Sequence, residues 1–387
     1  DRDPLILAGE EVPFTGGAVG WLSYEALDEF YQLGTDQRFA GDSPGWLAHF
    51  PLVHFSLYDE LFVQHRESGQ VWFLHRQRPG WEQRMDQWIS SRKLTSQDDQ
   101  VAAQIRSAFT EEEYLAAVRT IQKGIGEGDY YEVNLARGYL VKGCPSPAEL
   151  HRRWRQVQPV PYGALIQTPG FGVVSASPEQ FLQRRGSQIK TRPIKGTVPR
   201  TGNVAKDEAA AQELRESEKE RAELAMIIDL ERNDLGRICE PGSVKVTHVT
   251  EIESYSSVLH AVATIDGVLA QDFYPGEILE ATFPGGSITG APKRASMCAI
   301  RELEPWPRCV YTGSIGWLDC NGDLEFNIAI RTAAVYGDEA LIPFGGAITW
   351  DSDCKAESRE IGYKAKALLG ALGLETHPDR AGTDLQE

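Results

Sequence analysis

The sequence predicts an α+β protein built on antiparallel sheets. Its strand candidates come in runs and do not alternate with helices, which favours antiparallel pairing over a doubly wound parallel sheet. The pair Asn321-Gly322 separates two apolar strand candidates, as in a two-residue hairpin. The chain has 387 residues, 41% apolar and 25% charged, which is the composition of an ordinary globular protein.

The N-terminal elements follow from local patterns. Apolar and polar residues alternate over 52–64, and a turn at 67–70 leads into an apolar segment at 71–74, so a hairpin is predicted. Residues 81–108 are polar and are expected to form a helix and a connecting segment. Thr110 and Glu113 form a capping box that opens a helix over 111–125. The pair Ser146-Pro147 opens a second, short helix.

The remaining elements follow from hydrophobic period and turn residues. Strands are predicted at 131–141, 163–167, 172–176, 188–192, 244–248, 258–266, 314–319, 324–336 and 341–349. Further helices are predicted at about 207–230, 292–303 and 355–369.

Charge and composition exclude several classes of protein. Lys and Arg number 39 against 56 Asp and Glu, a net charge of −17, which argues against nucleic-acid binding. A local basic cluster could still bind an anionic metabolite. No apolar run approaches the about 18–20 residues of a membrane span, and no signal peptide is expected at the start. The six cysteines form no Cys-x-x-Cys pair, which predicts a reducing, cytoplasmic location, and the eight histidines show no zinc-binding spacing.

Three acidic residues are candidates for a cation site. Glu223 lies where a charged helix becomes apolar, and Glu357 and Glu360 share one face of the last helix. Solvated helix faces and helix N-termini carry such acids equally well. If Glu223 and Glu360 converge, their oxygens suit Mg²⁺, which takes one or two carboxylates with substrate oxygens and water.

Two glycine-rich segments are candidates for anion binding. The segment FPGGSITGAPK at 283–293 lacks the Gly-Lys-Ser/Thr of a phosphate loop, but its backbone N–H groups at a helix start could hold a carboxylate. The segment FGGA at 344–347 allows either close approach of a ligand or a bulge. Arg331 lies in a mostly apolar strand candidate and therefore needs an anionic partner such as a carboxylate.

Lys195 is the candidate nucleophile. The nearby Arg192 and Arg200, together with burial, are expected to lower the pKa of Lys195 and free its amine. On these residues alone, a lysine in a surface turn is the favoured interpretation.

Eight segments together resemble the chorismate-utilising enzymes, in order from about residue 105 to 370. They are GDYYEVNL at 128–135, SASPE at 175–179, PIKGT at 193–197, DLERNDLGR at 229–237, FPGGSITGAPK at 283–293, YTGSIG at 311–316, FNIAIRT at 326–332, and DSD at 351–353 with Glu357 and Glu360 after it.

The resemblance implies a large two-sheet antiparallel β-sandwich with helices on the outer faces and the active site in the cleft. Within the family, the segment 193–197 is similar to that of members that aminate chorismate with ammonia. The product would be 4-amino-4-deoxychorismate, for p-aminobenzoate and folate biosynthesis. A glutamine amidotransferase subunit would supply the ammonia. Anthranilate synthases typically carry Ala where Lys195 stands.

The resemblance also implies roles for individual residues. The Mg²⁺ ligands would be Glu223 and Glu360, with Glu357 beside them. The site for the enolpyruvyl carboxylate and the rest of the pocket would be formed by Arg331, Tyr311, Gly345, Gly346, Ala347, His260 and Ser287. Glu179 would protonate the departing 4-hydroxyl, and Lys195 would add at C2. Ala347 stands where relatives usually have glycine.

Three parts of the chain are expected: a β-rich part at 1–104, a chorismate-binding catalytic region at 105–375 interlocked with it, and a tail at 376–387. The resemblance implies that residue 1 corresponds to a point inside the family's N-terminal part, so that the first family strands are missing from this sequence. Anthranilate synthase and isochorismate synthase are the alternative activities, and a non-catalytic binding module is an alternative from another class.

Overall fold

Two antiparallel sheets dominate the structure, as the sequence predicts. The computed structural model describes residues 6–7, 10–33, 44–75, 78–90, 103–255 and 258–374. Every strand pairing within the two sheets is antiparallel. Short hairpin pairs lie outside them, at Ile6–Leu7 with Glu10–Glu11 and at Glu60–Gln64 with Val71–His75.

The smaller sheet has seven strands within the described residues. Its order is Gly290–Ala291, Glu132–Lys142, Glu339–Ile348, Thr332–Tyr336, Gly172–Ser177 and Tyr162–Gln167, and Gln104–Ser107 also pairs with Glu132–Lys142. Helices pack on this sheet, among them Glu111–Glu127, Pro147–Val157, Lys293–Leu303 and Cys354–Gly370.

The larger sheet has nine strands in the same part of the chain. Its order is Ile194–Pro199, Val258–Val268, Gln188–Arg192, Gln180–Arg185, Leu324–Asn327, Ser314–Asp319, Gly17–Leu22 and Val53–Tyr58, and Lys245–Ser254 also pairs with Val258–Val268. The helices Val204–Glu216 and Glu218–Gly236 pack against its Ile194–Pro199 end. The other α-helices are Asp28–Tyr31, Trp81–Ser90 and Pro275–Thr282, and 3₁₀ turns lie at Tyr24–Leu27, Gly45–His49 and Gly286–Ile288.

One continuous hydrophobic cluster joins the two sheets. It includes Val133 and Val174 from the smaller sheet and Leu182 and Phe326 from the larger one, all buried. Apolar faces of both sheets are therefore removed from water against each other, which is the main driving force for this packing.

The predicted tail, residues 376–387, lies outside the described residues. No described helix is both long enough and apolar enough to cross a membrane.

The predicted strand 324–336 is wrong as a single element. The chain leaves the larger sheet after Leu324–Asn327 and enters the smaller sheet at Thr332–Tyr336. Arg331 lies in this crossover with φ 52°, in the left-handed region that side chains rarely adopt. Such backbone strain is concentrated at functional sites.

The predicted helix 207–230 is two helices, Val204–Glu216 and Glu218–Gly236. Ser217 separates them, and its hydroxyl accepts a hydrogen bond from the Glu220 N–H, so that it caps the second helix. The predicted alternation over 52–64 also divides, into Val53–Tyr58 and Glu60–Gln64. The strands Gln180–Arg185 and Ile194–Pro199 were not predicted, and the second of them carries Lys195.

Candidate active site

A buried ion pair crosses the cleft between the sheets. Lys195 lies on the strand Ile194–Pro199 at the edge of the larger sheet, and Glu132 begins the strand Glu132–Lys142 of the smaller one. The Lys195 Nζ donates to Glu132 Oε1 at 2.9 Å. The alternative of a surface-turn lysine is wrong, because the Lys195 side chain is only 10% exposed.

Glu179 is buried near this pair. The Ser287 hydroxyl donates to Glu179 Oε1 at 2.7 Å, and the Ile194 N–H donates to the same oxygen at 3.3 Å. Burial raises the pKa of Glu179 to about 7, although those hydrogen bonds and the charges of Lys195 and Arg331 act in the opposite direction. A carboxyl group with a pKa near neutrality can donate a proton at neutral pH.

Within the described residues, three buried polar atoms at the site have no hydrogen-bond partner: Glu132 Oε2, His260 Nε2 and Arg331 Nη1. Burial, with the charge of Arg331, lowers the pKa of His260 to about 3, so its ring is neutral. Burial lowers the pKa of Arg331 to about 10, against the effect of Glu179, and the guanidinium stays charged at neutral pH. Buried groups of this kind are costly unless something binds them, so a polar, partly anionic ligand would stabilise the site.

Two further residues hold His260 and Tyr311 in place. The His260 Nδ1 and the Thr197 hydroxyl are 2.8 Å apart. Tyr311 is buried, and a Cβ atom added to Gly345 would lie 2.9 Å from its hydroxyl. Gly345, Gly346 and Ala347 pair regularly with Ala136, Leu135 and Asn134, so this segment contains no bulge. The glycine at 345 therefore serves close approach to Tyr311.

The three candidate metal ligands lie on two helices. Burial raises the pKa of Glu223 and of Glu357, and the Ser352 hydroxyl donates to Glu357 at 2.8 Å. Burial also acts to raise the pKa of Glu360, but Lys364, 2.8 Å away, brings it below its ordinary value. The charge of Lys219 acts on all three carboxyl groups, so each of them lies within electrostatic range of that one ammonium.

Carboxylate oxygens are the kind of ligand that Mg²⁺ prefers. In the described part of the chain, no group of three or more His, Cys, Asp or Glu residues is arranged to hold a metal ion by itself. Mg²⁺ commonly takes only one or two carboxylates and completes its shell with substrate oxygens and water, so Mg²⁺ binding by these residues stays a prediction.

A second buried network fixes the segment 283–293. The Lys293 Nζ donates to Asp234 Oδ2 at 2.5 Å and to the carbonyls of Thr282 and Pro284. The Gly286 N–H donates to Glu231 Oε1 at 2.9 Å, so this N–H is already occupied and does not await a ligand carboxylate. The network instead places Ser287, which contacts Glu179.

The expected environment of Lys195 is wrong. Arg192 pairs with Glu253, and Arg200 pairs with Asp207 and donates to the carbonyl of Tyr255, so both arginines have partners other than Lys195. Burial acts to lower the pKa of Lys195, but the charges of Glu132 and Glu223 outweigh burial and raise it. Sequence analysis did not identify Glu132 as a site residue, and the available signal was an acidic residue at the start of a mostly apolar strand.

The buried charges and unpartnered polar atoms define a site for a polar, partly anionic ligand between two antiparallel sheets, and comparison with known proteins assigns the family. Residues 2–370 match the family model of the chorismate binding enzymes. The chain belongs to this family, as its motifs predict.

The chain is similar to proteins named aminodeoxychorismate synthase component 1 and to proteins named anthranilate synthase component 1. Aminodeoxychorismate synthase component 1 of Bacillus subtilis (strain 168) is 37% identical over 375 residues, covering 93% of this chain and 78% of that protein. Anthranilate synthase component 1 1 of Haloarcula marismortui is 33% identical over 392 residues, covering 96% and 79%. The crystal structure of anthranilate synthase component I from Streptococcus pneumoniae TIGR4 superposes with a TM-score of 0.81 at 28% identity, covering 93% of this chain and 81% of that one.

Proposed function

We propose that this chain aminates chorismate with ammonia to give 4-amino-4-deoxychorismate. The observation that carries the proposal is the pairing of a buried acid, Glu179, with a lysine, Lys195, whose charges act on each other in one cleft. Displacing a hydroxyl group needs a proton donor and a nucleophile, whereas binding alone needs neither. The relatives named aminodeoxychorismate synthase component 1 support this choice within the family.

Chorismate carries two carboxylates, and the cleft offers a partner for each. Arg331, with Tyr311 and the backbone of 345–347, would bind the enolpyruvyl carboxylate through the guanidinium nitrogen that lacks a partner. Glu223, Glu357 and Glu360 would hold Mg²⁺ against the ring carboxylate, and the bound ion would supply the positive charge that this carboxylate needs. His260 and Ser287 would line the pocket.

The reaction requires two displacements. Glu179 gives its proton to the 4-hydroxyl, which leaves as water, while the neutral amine of Lys195 forms a bond to C2 and the two ring double bonds shift. Ammonia then bonds to C4, the double bonds shift back, and the bond from C2 to Lys195 breaks. The new ammonium returns a proton to Glu179. Chorismate and ammonia thus become the 4-amino product and water.

Ammonia would come from a glutamine amidotransferase subunit, in line with the name component 1 of the relatives. Cys144, which has a histidine nearby in the sequence, is an unsuitable glutaminase nucleophile because burial raises its pKa to about 12. The free cysteines of the described chain suit a reducing compartment such as the cytoplasm, where we place the enzyme. Its product would serve folate biosynthesis.

Product identification tests the proposal. The purified chain is incubated with chorismate, Mg²⁺ and ammonium chloride at alkaline pH, and the products are separated and identified by mass spectrometry. We expect 4-amino-4-deoxychorismate from the parent chain and at most traces of it from Lys195→Ala. Anthranilate or isochorismate as the main product would overturn the proposal and assign one of the alternative activities.

A further inference from the structure

The ion pair between Glu132 and Lys195 joins the two sheets at the cleft. The Glu132 side chain is fully buried and the Lys195 side chain almost so, and their charged atoms are 2.9 Å apart. The second carboxylate oxygen, Glu132 Oε2, has no hydrogen-bond partner in the part of the chain that the structure describes. A buried carboxylate with a single partner has one obvious task, which is to hold that partner.

The backbone holds Glu132 in place. Its carbonyl accepts a hydrogen bond from the Ser296 hydroxyl at 2.9 Å, and the residue pairs with Ala291 across the strands. Gly290 has φ 129°, and a Cβ atom there would lie only 2.1 Å from the Glu132 carbonyl oxygen. The strand start and the segment 283–293 therefore fix the position from which the carboxylate reaches Lys195.

Four carboxyl groups act on the Lys195 ammonium: Glu132 from the smaller sheet, Glu179 from the connection between the two sheets, Glu223 from the helix Glu218–Gly236 and Glu360 from the last helix. Among the described residues, Glu132 alone lies within ion-pair distance of Nζ. Together the four carboxyl groups favour the ammonium form of Lys195 in the chain without substrate. An ammonium has no lone pair, so the proton must leave before the nitrogen can act as a nucleophile.

We propose that Glu132 is a positioning residue for Lys195. The Glu132 carboxylate holds the Lys195 amine at the cleft and sets the pH range in which that amine loses its proton. The proton leaves to water, and Glu132 determines how readily it does so. The catalytic meaning of this inference rests on the proposed function. The ion pair itself can be tested without chorismate.

The test is the pH dependence of Lys195 acetylation in the chain without substrate or metal. Trace acetic anhydride modifies only neutral amines, and peptide mass spectrometry gives the rate at each lysine. The informative variant is Glu132→Gln, which keeps an oxygen that accepts from Nζ but removes the charge. We expect the midpoint for Lys195 to fall by at least about 1 pH unit, which is an at least about tenfold faster acetylation below the parental midpoint.

Two controls accompany this variant. Exposed Lys206 in the same protein should keep its midpoint, and Glu213→Gln, which removes an exposed charge from the helix Val204–Glu216, should leave Lys195 unchanged. An unchanged Lys195 midpoint in folded Glu132→Gln would overturn the inference. If that variant does not fold, Glu132→Asp withdraws the charge by one methylene; a lower midpoint supports the inference and an unchanged one overturns it.

Turnover separates this inference from the proposed function. In Glu132→Gln, the acid limb of kcat/KM for chorismate should move to lower pH in parallel with acetylation, an effect that a merely structural role would not produce. A shifted acetylation midpoint without amination by any form of the chain would overturn the proposed function and keep the ion-pair role. Amination of chorismate, with no shift in either the acetylation midpoint or the acid limb of kcat/KM, would keep the proposed function and overturn the role of the ion pair.

Discussion

Glu179→Gln is the substitution whose effects on stability and turnover should have opposite signs. The glutamine oxygen can still accept from the Ser287 hydroxyl and the Ile194 N–H, so the local contacts are kept. The variant cannot donate the proton that the departing hydroxyl needs. We expect kcat to fall by about 10²- to 10⁴-fold, the usual contribution of a positioned acid.

The stability effect follows from burial. The pKa of Glu179 rises from its ordinary 4.5 to about 7 in the folded chain, so between these values the folded state binds more protons than the unfolded one. The free energy of unfolding therefore falls as pH rises through this window. The full rise in the pKa of Glu179 corresponds to a loss of about 3 kcal/mol in the free energy of unfolding as pH increases through this window. Glu179→Gln does not titrate and should not show this loss.

Urea unfolding at pH 5 and pH 8 measures this difference. The parent should lose up to about 3 kcal/mol more than the variant between the two pH values. Glu231, whose pKa burial also raises to about 7, titrates in both proteins; the charge of Glu179 is the smallest of the causes of that rise, so most of the Glu231 contribution cancels in the comparison. Equal pH dependence in parent and variant, or parental kcat in Glu179→Gln, would refute the reasoning.

Glu360→Gln removes one charge of the proposed Mg²⁺ site at constant volume, so turnover should fall by at least about 100-fold with an unchanged Tm, whereas exposed Glu218→Gln should keep parental rates. Parental turnover of Glu360→Gln, insensitive to EDTA, would exclude the metal assignment. Arg331→Lys loses the planar fork, and KM for chorismate should rise about 10- to 100-fold; steady-state kinetics showing an unchanged KM would remove Arg331 from the substrate site. The isolated chain should form product from ammonium salts and not from glutamine, and glutamine-dependent product from this chain alone would contradict the need for a partner.

Local signals in the sequence predicted local structure. The capping box of Thr110 and Glu113 forms as expected, and the pair Asn321-Gly322 joins two neighbouring antiparallel strands. These features depend on residues a few positions apart, so the sequence contains all the information they need.

The site depends on contacts between distant parts of the chain. Glu132 and Lys195 are 63 residues apart and meet only because two sheets pack face to face. The segment around Arg331 is mostly apolar, and an apolar run does not reveal which of two sheets buries each half. Hydrophobic periodicity and residue spacing therefore could not predict the crossover at Arg331 or the charges around Lys195. The candidate residues themselves came from the motifs of the family.

The covalent role of Lys195 is the central claim, and intact-mass analysis in the absence of ammonia tests it most directly. With chorismate and Mg²⁺, the parent chain should gain one chorismate minus water, located on the peptide that contains Lys195. Lys195→Ala and Lys195→Arg should show no adduct and slow turnover, because arginine keeps the charge but is not deprotonated in proteins. An unmodified parent chain, together with near-parental turnover in Lys195→Arg, would contradict the account and leave Lys195 a purely electrostatic role.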